Sequence, residues 1–186
     1  MGRYLAFFKP YEVLSQFTDA HGRATLKDYI DIPDVYTAGR LDYRSEGLLI
    51  LTDDGGLIHR LTDPRFDHPK TYLVQVEGVA TPNHLIAPSN GIILPEIQSK
   101  VAQIEISTEP DLPSRSKPVR DYHPTTWLKI VIREGKKHQV RRMTAALGFP
   151  TLRLVRVAIG NLTLGDLKPG QWHSLTHDEM ESQIFG

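Results

Sequence analysis

Arg40 and Asp42 are the charged residues whose spacing best suits chemistry in this chain. They lie two positions apart, shortly before an apolar run at residues 48–51. Such a run predicts a strand buried on both faces, which would hold the preceding loop and its carboxylate in place. A lone aspartate in a loop is more often a turn or capping residue than a catalyst. If the chain is an enzyme, the Asp42 carboxylate is the best candidate to carry out its chemistry, because the chain has no cysteine and no metal-ligand cluster.

A tyrosine on a predicted strand is the second candidate. Residues 70–77 alternate in polarity, with Tyr72, Val74 and Val76 on one face. This period of two is typical of a half-buried strand. Strand tyrosines are usually core or rim residues, but the ring also offers a flat surface on which a nucleobase can stack.

Positive charge is concentrated in one part of the chain. Residues 1–111 contain 10 Lys and Arg against 16 Asp and Glu, whereas residues 112–186 contain 12 against 6, so the two parts carry −6 and +6. Seven of these cations lie in residues 133–156, here called the basic segment, which has one acid, Glu134. The distribution favours a local anion site over a general polyanion surface. The alternative is an ordinary solvated face.

A helix is predicted inside the basic segment, over residues 136–147. Val140, Met143 and Leu147 recur at i, i+3 and i+7, and Gly148 provides a stop. The N–H groups at a helix start attract phosphate. Arg141 and Arg142 fall on adjacent faces, so one can approach a carboxylate while the other meets a phosphate.

Composition excludes several classes of protein. The chain has 186 residues, 40% of them apolar, which suits one domain with a real core, built in two lobes. Zero cysteines exclude disulfides and thiolate chemistry, and the eight histidines show no metal-ligand spacing. No apolar run approaches the roughly 20 residues that span a membrane, and no signal peptide is recognisable. We therefore expect no metal, no membrane association and a cytoplasmic location.

Short strands dominate the predicted secondary structure. Residues 4–8, 13–17, 97–107 and 126–133 have β-like patterns, and residues 9–12 form a turn between the first two. A short helix is expected over residues 81–87, with Thr81 as cap and Pro82 at its first position. Residues 109–124 contain four prolines and predict a long loop between paired strands. Many antiparallel strands with a few short helices predict an α+β fold.

Three blocks of the sequence together resemble the RsuA-like family of pseudouridine synthases. They are residues 39–55, residues 70–74, and residues 134–143 with their continuation to residue 170. The resemblance implies the pseudouridine synthase catalytic fold, a mixed and largely antiparallel sheet with the active-site cleft between two lobes. Most members begin with a small S4-type RNA-binding module. Here the catalytic region starts almost at residue 1, so we expect a single catalytic domain over residues 1–186 without that module.

The resemblance also implies roles for individual residues. The family's nucleophilic aspartate falls on Asp42, the arginine before it on Arg40, the active-site tyrosine on Tyr72, and the arginine that pairs with the aspartate on Arg141. A leucine that packs under the uracil falls on Leu154. The remaining cations expected to contact the RNA backbone are Lys137, Arg142 and Arg156, with help from Arg115, Lys117 and Arg120 in the loop 109–124.

The function implied is isomerisation of a specific uridine to pseudouridine in large-subunit (23S) ribosomal RNA, by a monomer without a cofactor. The target base must leave its stack to reach the carboxylate. Asp42 could attack the sugar or the base, or remove a sugar proton, and the residues do not distinguish these. One alternative is a ribosome-assembly factor that binds ribosomal RNA without catalysis. Another is a glycoside hydrolase, which needs a second acid, for which Asp53 and Asp54 are the nearby candidates.

Overall fold

One mixed sheet organises the protein. The computed structural model describes residues 2–85, 93–94, 97–98 and 103–186. Nine described strands form a sheet in the order β11-β1-β3-β9-β4-β8-β7, with β2 beside β3 and β10 beside β9. The strands are β1 (Tyr4–Lys9), β2 (Tyr36–Thr37), β3 (Glu46–Thr52), β4 (Lys70–Glu77), β5 (Ile93–Leu94), β6 (Ile97–Gln98), β7 (Gln103–Ser107), β8 (Thr125–Ile132), β9 (Thr151–Ile159), β10 (Leu162–Thr163) and β11 (Trp172–Leu175). The small pair β5–β6 lies apart from this sheet.

Short helices complete the architecture. They are α1 (Gly55–Thr62), α2 (Pro82–Leu85), α3 (Gln139–Ala146) and α4 (His177–Phe185), with single 3₁₀ turns at Leu26–Asp28 and Pro64–Phe66. The predicted helix over residues 81–87 is confirmed as α2, although its last two residues lie outside the described part. None of the helices in the described ranges has the length and apolar character needed to cross a membrane.

The two halves of the sheet meet at β9. β3 pairs with β9 in parallel, whereas the other strand pairs of the described residues are antiparallel, which confirms the predicted mixed, largely antiparallel α+β fold. Gly47 makes the parallel contact possible. Its φ is +109°, and a Cβ there would lie 2.2 Å from the carbonyl oxygen of Arg156, so only glycine fits.

β1 and β3 are buried on both faces. Leu49 and Leu51 pack in one hydrophobic cluster with Phe7, while Leu48 and Ile50 pack in a second cluster. Alternate residues of a strand point to opposite faces, so these two clusters cover the two sides of the sheet. The prediction of a doubly buried strand at residues 48–51 is confirmed.

The helix of the basic segment starts later than the sequence pattern indicates. α3 begins at Gln139 rather than at Lys136, because His138 adopts a left-handed conformation with φ 52°. The Lys136 N–H donates instead to Oε1 of Gln139, at 3.0 Å. The apolar face is as predicted, since Val140 and Met143 are buried and Leu147 packs beside them.

The predicted strand at residues 13–17 is wrong. This segment forms one isolated bridge, between Leu14 and Thr25. The carbonyl oxygen of Val13 accepts a hydrogen bond from Nζ of Lys9 at 2.7 Å, so a side chain satisfies the backbone where a neighbouring strand would have done. The segment is therefore an irregular buried loop.

Candidate active site

The backbone around Asp42 is held by two side chains from the N-terminal part of the chain. Oγ of Ser15 accepts from the Leu41 N–H at 3.1 Å and donates to the Leu41 carbonyl at 2.7 Å. Nζ of Lys9 lies 3.4 Å from the carbonyl oxygen of Tyr43. Asp42 therefore stands between two residues whose backbone is tied to the protein body, as a positioned carboxylate requires.

The Asp42 carboxylate faces an open cleft. Its side chain is 35% exposed, and Oδ1 lies 3.4 Å from Nε2 of His138, the residue that precedes α3. Within the described residues, Asp42 has no ion pair with a lysine or an arginine. The carboxylate is thus near positive charge but not closed off by it.

Arg141 holds the loop that carries Asp42. Its Nη2 donates to the Arg44 carbonyl at 2.9 Å and lies 3.5 Å from Oγ of Ser45. Burial lowers the pKa of Arg141, and the nearby charge of Asp42 opposes that change. The structure therefore brings Arg141 close to Asp42, with its direct hydrogen bonds on the following residues of the loop.

The cleft has a volume of about 590 Å³, and residues from all three sequence blocks that carry the family resemblance line it. Its buried lining residues Tyr72, Leu154 and Arg156, together with the half-buried Lys70, are here called the floor. The exposed basic residues of its lining, here called the mouth, are Arg40, Lys136, Lys137 and His138. A cleft of this size with a mixed polar and apolar lining suits a small ligand or an extruded base.

Two neighbouring strands supply the floor. Tyr72 of β4 stands opposite Arg156 of β9, and Val74 stands opposite Leu154. Directly opposed residues share a face of the sheet, so Tyr72, Leu154 and Arg156 face the same side. Tyr72 is 7% exposed and Leu154 is 4% exposed.

The predicted RNA-backbone cations lie in three different environments. Lys137 is exposed at the mouth, as is Arg40, whose Nη2 lies 3.3 Å from Oε1 of Gln16. Arg142 is half-buried on α3 and does not line the cleft. Arg156 is 3% exposed, deep in the floor. The basic segment is therefore not one continuous surface.

The loop at residues 108–124 joins β7 to β8, as predicted, and folds back onto the protein. The Arg115 guanidinium lies 4.1 Å from the centre of the Tyr11 ring, and Lys117 pairs with Glu12. Arg153 donates to the Pro113 carbonyl at 2.7 Å. The loop is thus anchored at several points.

The sequence analysis assigned no role in the site to two lysines and one acid, Lys70, Lys9 and Glu134. Lys70 lines the floor, and its pKa is lowered to about 8, chiefly by burial and also by the charge of Arg156. Lys9 is fully buried, and burial lowers its pKa to about 7. Glu134 is buried at the cleft wall, where it accepts from Nε2 of Gln139 at 2.6 Å. Lys70 was detectable, because it is two residues from Tyr72 on one strand face.

The acids proposed for a hydrolase have other roles. Asp54 caps α1 by accepting from the Leu57 N–H at 3.0 Å, and Asp53 accepts from the Arg3 N–H at 2.7 Å. Neither lines the cleft. In the described ranges, no group of three or more His, Asp or Glu side chains could hold a metal ion.

Comparisons with known proteins agree with this geometry. Residues 3–146 match the family described as RNA pseudouridylate synthase. A protein of Vibrio vulnificus named ribosomal large subunit pseudouridine synthase E is 52% identical over 176 residues, which are 94% of this chain and 75% of that protein. A protein of Xanthomonas axonopodis pv. citri with the same name is 54% identical over 166 residues, 87% of each chain.

A solved structure extends the likeness to the fold. The crystal structure of a pseudouridylate synthase superimposes with a TM-score of 0.83 at 32% identity, covering 99% of this chain and 74% of that one. The expected catalytic fold is confirmed, and the interpretation as an RNA-binding protein without catalysis loses its support. The chain therefore belongs to the RNA pseudouridylate synthase family, in its RsuA-like branch.

Proposed function

We propose that this enzyme converts a specific uridine of large-subunit ribosomal RNA to pseudouridine, with Asp42 as nucleophile and no cofactor. The observation that carries the proposal is that Asp42, Tyr72 and Leu154, distant in sequence, line one cleft. The substrate follows from the relatives named large subunit pseudouridine synthase E, which share about half of their residues with this chain.

The cleft supports a flipped-out base. A uridine inside a helix cannot reach a carboxylate in a cleft, so the nucleotide must be extruded, at a cost of a few kcal/mol. Stacking on an aromatic ring returns about 1–3 kcal/mol per base. The Tyr72 ring, with Leu154 on the same face, offers that surface. Asp42, which lines the same cleft, then approaches the nucleotide.

The arginines and lysines of the site have two further roles, which are to hold the Asp42 loop and to contact the RNA backbone. Arg141 fixes the Asp42 loop, and its guanidinium charge lies close to that of the Asp42 carboxylate. Arg40 and Lys137, exposed at the mouth, suit contacts with the RNA backbone, and the half-buried Arg142 offers a separate contact on α3. One chain supplies every one of these groups, so we propose that the monomer is active, in the cytoplasm where ribosomal RNA is processed.

Tritium release tests the proposed chemistry. When C5 of uracil becomes bonded to the sugar, the hydrogen at C5 is lost to water. Ribosomal RNA carrying 5-tritiated uridine should release tritium with the wild-type enzyme, whereas Asp42→Asn should slow release by about 10⁴-fold or more. Release by Asp42→Asn at the wild-type rate would refute its role as nucleophile.

Deletion of the gene tests the substrate. Pseudouridines mapped in ribosomal RNA from cells without the protein should lack one modification in the large subunit. Restoration by the wild type, but not by Asp42→Asn, would assign that modification to this enzyme. Loss of a small-subunit site instead would contradict the proposed substrate.

A further inference from the structure

Arg156 is a buried cation whose hydrogen-bonding capacity is only partly used by the described residues. A guanidinium carries five N–H donors. Nε of Arg156 donates to the Leu48 carbonyl at 2.8 Å, which fixes the side chain in the floor. Nη2 is shielded from solvent and has no hydrogen-bond partner. A buried unsatisfied donor in a native structure calls for an explanation, because it costs free energy.

The surroundings of Arg156 make the unused donor more unusual. Arg156 forms no ion pair with a carboxylate in the described ranges, and its charge contributes to the lowered pKa values of both Lys9 and Lys70. The Lys9 amine donates hydrogen bonds to backbone carbonyls, including that of Val13. Lys70 lines the cleft together with Arg156. The charge of Asp67 only partly opposes the lowering of the Lys70 pKa by burial and by Arg156. The floor thus holds more positive than negative charge in the absence of substrate.

The position of this excess charge points to the base rather than to the RNA backbone. Arg156 stands opposite Tyr72 on the same sheet face, and Lys70 is two residues from Tyr72 on that face. A uracil stacked on the Tyr72 ring would bring its polar edge to the side chains beside the ring. Phosphates favour the exposed cations of the mouth, where hydration is retained.

We propose that Arg156, assisted by Lys70, stabilises negative charge on the uracil ring when the glycosidic bond breaks. This inference rests on the proposed function. When the C1′–N1 bond breaks, its electron pair passes to the ring and is shared among N1, O2 and O4, while the Asp42 carboxylate, the proposed nucleophile, bonds to C1′ until C5 displaces it. The later C1′–C5 bond consumes that pair, C5 loses its proton and N1 gains one, so the reaction remains an isomerisation. Donors already fixed in a buried site stabilise such charge without reorganisation.

A change of leaving group tests this proposal. The fluorine of 5-fluorouracil withdraws electrons and stabilises the ring anion, so its glycosidic bond needs less help from the enzyme. We would measure single-turnover rates, at saturating enzyme, for RNA with uridine or 5-fluorouridine at the target position. Disappearance of the parent nucleoside from digested RNA, followed by chromatography and mass spectrometry, reports both substrates.

Arg156→Met should slow the reaction of uridine by about 100-fold or more. The loss of rate that Arg156→Met causes on 5-fluorouridine should be several-fold smaller than its loss on uridine. The affinity of this variant for RNA, measured by filter binding, should stay within threefold of wild type. Lys70→Met should show the same pattern with smaller losses. Lys137→Met, at the mouth, is the control: it should weaken binding and slow both substrates equally below saturation.

Equal losses on both substrates, or a loss confined to RNA affinity, would overturn the proposal. If thermal unfolding shows that Arg156→Met does not fold, Lys70→Met carries the same comparison, since its side chain is only half-buried. A wild-type enzyme that converts neither RNA would refute the proposed function itself. If the wild-type enzyme converts both the uridine RNA and the 5-fluorouridine RNA, but the variants lose the same factor in rate on each, only this inference is refuted.

Discussion

Two carboxylates at the start of β3, four residues apart, show how the same chemistry is used for structure and for function. Glu46 is 1% exposed, and both of its oxygens accept from Arg153, at 3.0 and 2.9 Å. Asp42 is 35% exposed and faces the cleft with His138 at 3.4 Å. The first carboxylate is satisfied within the protein, whereas the second keeps most of its hydrogen-bonding capacity for a ligand.

The two arginines of β9 repeat this contrast. Arg153 pairs with Glu46 and also donates to the Pro113 carbonyl, so it ties β3, β9 and the loop 108–124 together. Arg156, three residues later, has an Nη2 without a hydrogen-bond partner among the described residues. Full pairing marks the structural pair Glu46–Arg153, whereas incomplete pairing among the described residues marks Arg156 in the cleft.

Exchange of each acid for its amide tests the contrast most strongly. Glu46→Gln leaves the buried Arg153 charge uncompensated and should lower the free energy of unfolding by about 3–5 kcal/mol. Asp42→Asn should change it by no more than about 0.5 kcal/mol, because its environment is partly solvated. Urea denaturation followed by circular dichroism measures both. A larger loss of stability from Asp42→Asn than from Glu46→Gln would reverse the assignment.

Gly47 allows the backbone approach on which both arginines depend. Gly47→Ala introduces a Cβ against the Arg156 backbone at a φ that alanine rarely adopts, and should destabilise the fold by about 3 kcal/mol. Gly55→Ala is the matched control, since a Cβ there meets nothing within 4 Å, and it should be nearly neutral. Equal melting temperatures for the two variants would show that the β3–β9 contact adapts.

Arg141 tests whether the open carboxylate needs a fixed loop. Arg141→Met removes the hydrogen bond to the Arg44 carbonyl and should lower the single-turnover rate roughly 30-fold, about 2 kcal/mol, by loosening the position of Asp42. Arg141→Lys keeps the charge and should recover part of that loss. An unchanged rate in Arg141→Met, with normal RNA affinity, would show that the loop is held without it.

The dependence of kcat/KM on pH tests the role of Lys70, and its expected effect is the smallest. Burial, with the charge of Arg156, lowers the pKa of Lys70 to about 8, so the amine is charged below that pH and neutral above it. If the charged form assists the reaction, kcat/KM should fall about tenfold per pH unit above pH 8. Lys70→Arg, which stays protonated, should shift the fall to higher pH. The same fall in Lys70→Arg would assign it to another group.

Local patterns predicted much of the fold, because they reflect local physics. Alternation identified β4 with Tyr72, and helical spacing identified the apolar face of α3 with Val140 and Met143. Both failures arose where distant groups decide the backbone. The strand expected at residues 13–17 does not form, because Lys9 and loop contacts satisfy its carbonyls. The start of α3 moves to Gln139, because His138 takes a left-handed conformation.

The sequence by itself determined which residues are present for chemistry and in what order: a carboxylate before a buried strand, a tyrosine on the next long strand, and a basic helix. These signals can be read from the sequence alone because they depend on residue type and spacing. Only the tertiary structure decided which charges are satisfied and which face the cleft, since pairing depends on distances between residues about 100 positions apart. Glu46 and Asp42 are equivalent acids in the chain, and the parallel contact of β3 with β9 makes one of them structural.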